Sequence, residues 1–349
     1  MTNNPDKRLR LPAEWEEQDG VLLAWPHEDT DWAYMLDEVT ECFTCIAKAI
    51  ADEEKLIVAA PDVEIPRSCL SAAGANMANV ILVTVPTNDT WARDFGPISL
   101  TGTEGVTFCD FKFNAWGLKF AADKDNLITR RLYDGGALRG DYRNCLGFVL
   151  EGGSVESDGK GTLLTTSECL LSPNRNGEMS KHEIEQYLMD RFNLDKVLWL
   201  DHGYLAGDDT DSHIDTLARL APDDTIVYVG CDDPDDEHFE SLQAMKRQLG
   251  EMVTKEGNGF NLIELPLPDA VYDETGQRLP ATYANFLILN SSVLMPSYGQ
   301  PKKDMLASQI LKIAFPDREI KMIDCRALIK QHGSLHCVTM QLPEDTLPI

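Results

Sequence analysis

Basic residues are scarce in this chain: 31 Lys and Arg stand against 58 Asp and Glu in 349 residues, a formal net charge of −27. So negative a surface repels phosphate backbones and anionic lipid, which argues against nucleic-acid and membrane-surface binding and suits a small cationic ligand. Long apolar runs are missing, so no segment is expected to cross a bilayer. The opening stretch, residues 1–8, has no charged region followed by an apolar one, and the expected compartment is the cytoplasm. Cysteine follows no pairing pattern. Nine residues, an odd number at irregular spacing, fit a reducing compartment better than a disulfide framework. The one Cys-x-x-Cys, Cys42-Phe-Thr-Cys45, falls in an amphipathic helical pattern, and both thiols are read as buried rather than redox-active or zinc-binding. No His-Glu-x-x-His occurs, and Gly333-Ser334 between His332 and His336 argues against a helical metal pair. Pro/Ser-rich linkers and low-complexity tracts are absent too. One domain is therefore expected over residues 1–349, with its core near 11–343.

What is present is a recurring order of strand, strand, helix, strand. In one copy 147–150 and 162–166 read as strands, 180–191 as a helix with Ser180 as N-cap and Glu183 at its third position, and 196–200 as an apolar strand. The order returns at 216–220, 225–229, 235–249 and 261–265, and again at 285–289, 293–296, 302–315 and 319–323. The strands that follow the helices recur at roughly sixty residues. Earlier in the chain, 21–25 reads as a strand, 32–52 as a helix, and 55–60, 80–85 and 106–111 as further strands. A unit with one small sheet and one outer helix cannot bury its apolar face alone. Such units are expected to close as an α/β propeller around an axis that gathers loops from every blade. An open doubly wound sheet is the alternative.

Four motifs carry chemistry. In Gln331-His-Gly-Ser-Leu-His-Cys-Val-Thr-Met-Gln-Leu-Pro343, Cys337 follows a Gly-Ser turn and precedes an alternating apolar run, a position that suits a nucleophile. Asp94, in Thr90-Trp-Ala-Arg-Asp-Phe-Gly-Pro97, is a carboxylate hemmed by aromatics; a buried structural ion pair between Arg93 and Asp94 is the competing account. His213 and Asp215 stand two apart where a strand is expected to begin, so period two points both to one face. A mononuclear metal site built on them is a secondary reading. Glu151-Gly-Gly153 follows apolar Phe148-Val-Leu150; the glycines permit a tight turn with the carboxylate at the strand end, or a plain hairpin connection. A thiol, a histidine and several carboxylates together suit a cationic carbon electrophile.

In this order the motifs resemble the guanidine-modifying superfamily, in its agmatine deiminase and bacterial peptidylarginine deiminase branch. The resemblance runs through Leu11-Pro-Ala-Glu-Trp-Glu-Glu-Gln-Asp-Gly20, Leu23-Ala-Trp-Pro26, Phe113-Asn-Ala-Trp-Gly117, Leu163-Leu-Thr-Thr-Ser-Glu-Cys-Leu-Leu-Ser-Pro-Asn-Arg175 and Tyr283-Ala-Asn-Phe286, besides the four motifs above. It implies a five-bladed α/β propeller and hydrolysis of a guanidinium to a ureido group with loss of ammonia, needing neither cofactor nor metal. By residue it implies that Cys337 attacks the central carbon and that Asp94 and Asp215 clamp the guanidinium. It further implies that His213 shuttles protons and is oriented by Glu151, that Trp91 packs on the substrate, and that Asn285 bonds near the thiol. The loop around Trp116 offers aromatics and no arginine to grip an α-carboxylate, which favours agmatine over free or C-terminal arginine. Peptidyl arginine or another guanidino compound is the alternative, followed by a metal-dependent amidohydrolase and a binding protein without turnover. A homodimer is implied by family analogy alone. Two positions depart from the family pattern: His332-Gly-Ser334 replaces a common Gly-Gly-Gly run, and Ser212 replaces the glycine before the histidine.

Overall fold

The strand and helix signals above organise a computed structural model that describes residues 9–348; residues 1–8, read above as carrying no secretion signal, lie outside the described residues. The first sheet holds β1 (Gln18–Ala24), β2 (Lys55–Ala60) and β3 (Val80–Thr84), paired in parallel. Next come β4 (Ile98–Gly102), β5 (Gly105–Lys112) and β6 (Asp141–Val149), then β7 (Val155–Ser157), β8 (Thr162–Thr166) and β9 (Lys196–Leu200). A fourth sheet is made of β10 (Ala218–Ala221), β11 (Thr225–Gly230) and β12 (Asn261–Pro266). A small hairpin, β13 (Val271–Tyr272) with β14 (Arg278–Leu279), precedes the fifth, β15 (Leu287–Ile288), β16 (Ser292–Ser297) and β17 (Glu319–Asp324). Finally β18 (Thr339–Pro343) returns to pair antiparallel with β1, Leu22 opposite Met340.

Every one of the five sheets therefore has the same plan: an antiparallel strand, then a strand, helix and parallel strand. The crossover helices are Leu36–Ala51, Ile128–Asp134, Lys181–Phe192, Phe239–Glu251 and Pro301–Ala314. A parallel pair needs such a crossover, and the helix covers one sheet face, which is why a strand such as β2 reads as a near-continuous apolar run. The first module differs in taking its antiparallel strand, β18, from the far end of the sequence. The fold is this α/β propeller of pseudo-repeated modules, and separate sheets of three or four strands replace the open doubly wound alternative.

Local chemistry sets the boundaries. Ser180 caps its helix with a capping box, accepting from the Glu183 N–H while the Glu183 carboxylate accepts from the Ser180 N–H, and Asn193 ends the helix in the left-handed region. Some expectations shift. Residues 147–149 are the end of β6 in the second sheet, Leu150 falls just past it, and the third sheet opens with β7, so Glu151 lies in the connection between two sheets. The 216–220 strand begins only at Ala218, because a helical turn, Ile214–Thr216, occupies the approach. The 285–289 strand shrinks to β15, and the expected helix at 32–52 opens with a separate turn, Ala33–Met35. Cys42 is buried, but Cys45, three residues on, lies on the outer side of the helix and is exposed. Among the described residues no helix is long and apolar enough to cross a membrane.

Candidate active site

The turn that leads into the first strand of each sheet supplies one part of the site. Asp94 sits in the turn Ala92–Phe95 before β4, Glu151 just before the turn Gly152–Ser154 that leads to β7, and Asp215 in Ile214–Thr216 before β10. Asn285 precedes β15, and Cys337 lies in His336–Val338 before β18. Five equivalent positions from five modules thus meet in one place. His213 stands just before its turn, so a helical turn rather than strand alternation brings it together with Asp215.

The distances are short. His213 Nδ1 lies 3.6 Å from Asp94 Oδ1, and its Nε2 lies 3.9 Å from Glu151 Oε2, beyond hydrogen-bond length. The Cys337 thiol lies 3.4 Å from Asn285 Oδ1 and 4.0 Å from Asp215 Oδ2. Asp94 is fixed at both oxygens, by the Trp116 indole N–H at 2.9 Å and the Gly153 N–H at 3.0 Å. Gly153 has a stronger reason to be glycine than a hairpin: a Cβ there would meet His213 Nδ1 at 2.6 Å, Asp94 Oδ1 at 2.9 Å and Asp215 Oδ2 at 3.1 Å. Arg93 does not pair with Asp94. Its guanidinium bonds Gln341 and lies 3.7 Å from Glu14, so the structural ion pair weighed above does not form.

A cavity of about 160 Å³ opens onto this cluster. Trp91, Trp116, Asp94 and Cys337 line it, together with Phe120, His332 and three further carboxylates, Asp31, Asp89 and Asp209; among the described residues no Lys or Arg does. Trp91 fits because Gly333 leaves room: a Cβ there would fall 2.1 Å from the indole ring. Trp116 holds its place through a rare backbone, with Ala115, Trp116 and Leu118 all at positive φ of 53°, 55° and 69°.

Burial and charge decide the protonation states. Burial raises Asp94 to about 6, with His213 opposing the shift and Asp215 adding to it. Burial alone would lower His213, but the charge of Asp94, followed by Cys169 and Glu151, carries it well above the ordinary histidine value. The Cys337 thiol is pushed well up by burial and then by the charges of Asp215 and Asp94. Without a cation beside it the thiol therefore keeps its proton, and the histidine holds one to give.

Comparison with known proteins fits this geometry. A family model described as Porphyromonas-type peptidyl-arginine deiminase matches residues 10–343. The chain belongs to that family. Its sequence is 33% identical to an agmatine deiminase of Pseudomonas aeruginosa, over 96% of this chain and 95% of that protein. Among solved structures, a Porphyromonas gingivalis protein provisionally named an arginine deiminase shares 51% identity, with 98% of this chain and 100% of that one covered and a TM-score of 0.92. A C. jejuni agmatine deiminase, solved as a cysteine-to-serine variant with substrate bound, shares 36% over 97% of each chain with a TM-score of 0.89. Membership makes the chain a hydrolase of amidine C–N bonds.

Two further residues in the site carried no signal of their own. Arg175 grips Glu151, its Nε 2.9 Å from both carboxylate oxygens, and bonds Asp211 and the Thr210 carbonyl as well. Cys169 lies 4.0 Å from Glu151 Oε2. Both stand in the 163–175 motif, the one sequence signal that could have found them. Ligand atoms of Glu151, Cys169 and His213 lie within 4.8 Å of one another, as do those of Glu14, Glu156 and His336. In each cluster an arginine already holds a carboxylate, Arg175 on Glu151 and Arg219 on Glu14 and Glu156, and its charge opposes a metal cation. The two departures from the family pattern, His332 and Ser212, both take positive φ, 68° and 61°, where glycine is the unstrained choice.

Proposed function

We propose that this chain is an agmatine deiminase, a single domain that hydrolyses the guanidinium of agmatine to N-carbamoylputrescine and ammonia. The observation that carries the reading is the cavity wall: Asp31, Asp89 and Asp209 are available to a cationic tail, and among the described residues no Arg or Lys is there to receive an α-carboxylate. The named activities of the relatives support it.

The guanidinium is a poor electrophile whose edges suit carboxylates, so Asp94 and Asp215 hold it over Cys337. Burial and then two carboxylates keep the thiol protonated; the positive charge of the substrate offsets the carboxylates, so the thiol loses its proton to solvent and the thiolate forms when substrate is present. Sulfur adds to the central carbon; the C–N bond breaks as His213 gives its proton to the departing ammonia, leaving a thiouronium. Water then loses a proton to His213 and adds to the same carbon. The C–S bond breaks as the added hydroxyl gives up its proton to solvent, releasing the ureido product and the thiolate. Glu151, itself held by Arg175, keeps the imidazole in place.

Arginyl peptide is the second reading, favoured by the description of the family model. One panel separates them: ammonia release from agmatine, arginine and an arginyl peptide, with Cys337→Ala alongside. Agmatine turnover that the variant lacks is expected. Preference for the peptide replaces the substrate assignment, and undiminished turnover by Cys337→Ala refutes the thiol mechanism. The nine free cysteines suit a reducing cytoplasm, and the family analogy suggests a homodimer, which a mass measurement in solution checks.

A further inference from the structure

Beneath the nucleophile lies a second layer of buried charge that the mechanism above does not use. His336, the neighbour of Cys337, places Nδ1 2.7 Å from Asp215 Oδ2 and Nε2 2.7 Å from Glu14 Oε2. Arg219 reaches both partners, its Nη2 lying 2.8 Å from Glu14 Oε2 and 3.0 Å from His336 Nε2, while its Nε donates to Glu156. All these side chains are at most 7% exposed.

The consequence falls on Asp215. Among the described residues the one partner of His336 Nδ1 is a carboxylate oxygen, so Nδ1 carries the proton and donates it. That bond occupies Oδ2, while Oδ1 of the same carboxylate is buried and has no partner among the described residues. A buried oxygen without a donor is costly unless a ligand supplies one. We propose that His336, held by Glu14 and Arg219, is the positioning residue that locks Asp215 by one oxygen and so aims the other at the substrate guanidinium. This rests on the deiminase reading of the same site. Asn285 adds a second brace: its Oδ1 accepts from the backbone N–H groups of His336 and Cys337, and its Nδ2 donates to the Asp215 carbonyl, tying the clamp, the thiol and His336 into one unit. The depressed pKa of Asp215 agrees: burial would raise it, but the His336 hydrogen bond and charge pull it below its ordinary value.

The test compares His336→Leu, which removes the donor, with His336→Asn, whose amide N–H falls near the position of Nδ1. Agmatine affinity is measured by calorimetry in a Cys337→Ala background, and turnover in the otherwise unaltered enzyme. His336→Leu is expected to weaken binding about 10- to 150-fold, the range for losing a hydrogen bond to a charged group, with kcat falling as well. His336→Asn is expected to restore binding to within a few-fold. If His336→Leu does not fold, as judged by circular dichroism and thermal unfolding, Glu14→Gln is read instead; it loosens the brace without touching Asp215 and should raise KM several-fold. Unchanged binding in folded His336→Leu, or an Asn variant as impaired as the Leu variant, overturns the proposal. A parent enzyme silent on agmatine but active on arginine or an arginyl peptide moves the same comparison to that guanidine. A parent silent on all three refutes the deiminase reading itself.

Discussion

Replacing Asp89 with asparagine should damage the recognition of one end of the substrate and spare the other. Asp89 lines the cavity and takes no part in the thiol chemistry proposed above; burial raises it to about 7, the Thr90 N–H opposing the shift and the charge of Asp31 adding to it. A carboxylate is charged above its pKa, so its pull on an ammonium tail is present above about pH 7 and fades as pH falls through that value. Asp209, raised to about 6 by burial and by Asp208, fades next. One charge-assisted hydrogen bond is worth about 1.5–3 kcal/mol, or roughly 10- to 150-fold in affinity. Bare Coulomb attraction at about 4 Å and an effective dielectric of about 20 gives about 4 kcal/mol, an upper bound before the ammonium is desolvated. The control is butylguanidine, which keeps the head group and lacks the amine. Asp94 also titrates near 6, but its loss weakens both ligands alike. Calorimetry in a Cys337→Ala background should show Asp89→Asn weakening agmatine at least tenfold at pH 8 and butylguanidine hardly at all. The pH dependence of agmatine binding between about 6 and 8 should flatten in the same variant. Equal losses for the two ligands, or none for either, would refute tail recognition by this wall.

Gly153→Ala places a methyl 2.6 Å from His213 Nδ1, so turnover should fall at least about 100-fold while circular dichroism stays native. Arg175→Met leaves the carboxylate of Glu151 buried without its cation, and urea unfolding should report a loss of about 3–5 kcal/mol. Glu54 is raised to about 8, chiefly by burial, and its Oε1 has no partner among the described residues. Between about pH 4.5 and 8 the unfolded chain has lost this proton and the folded one keeps it, so Glu54 costs stability as pH rises, by up to about 1.4 kcal/mol per pH unit. Glu54→Gln should remove that slope, matching the parent near pH 4 and melting higher at pH 8.

Periodicity made the sheets legible. β2, β9 and the capped helix Lys181–Phe192 are apolar runs or amphipathic stretches whose signal is local, and their bounds fall within a residue of expectation. The turns that open each sheet were harder to read. The 214–216 segment has the composition of a strand but curls, because its carbonyl and hydroxyl groups bond locally: Thr216 Oγ1 donates to the His213 carbonyl. Cys337, His213, Asp94 and Glu151 stood out through their motifs. Asp31, Asp89 and Asp209 did not, since among 58 acidic residues no single carboxylate is distinctive until the fold sets three around one hollow. His336 was weighed only as a metal ligand; its bonds reach residues 14 and 215, separations that no local pattern encodes.

β18 begins two residues after Cys337 and supplies the antiparallel strand that the first sheet would otherwise lack. Completion of the first sheet and delivery of the thiol to the carboxylates are thus one event. A chain still emerging from the ribosome, or one whose last strand has peeled away, holds Cys337 apart from Asp94 and Asp215, so it has no clamp to set a guanidinium before the sulfur. A tag or fusion that competes with β18 for its place beside β1 should silence the enzyme long before it unfolds it.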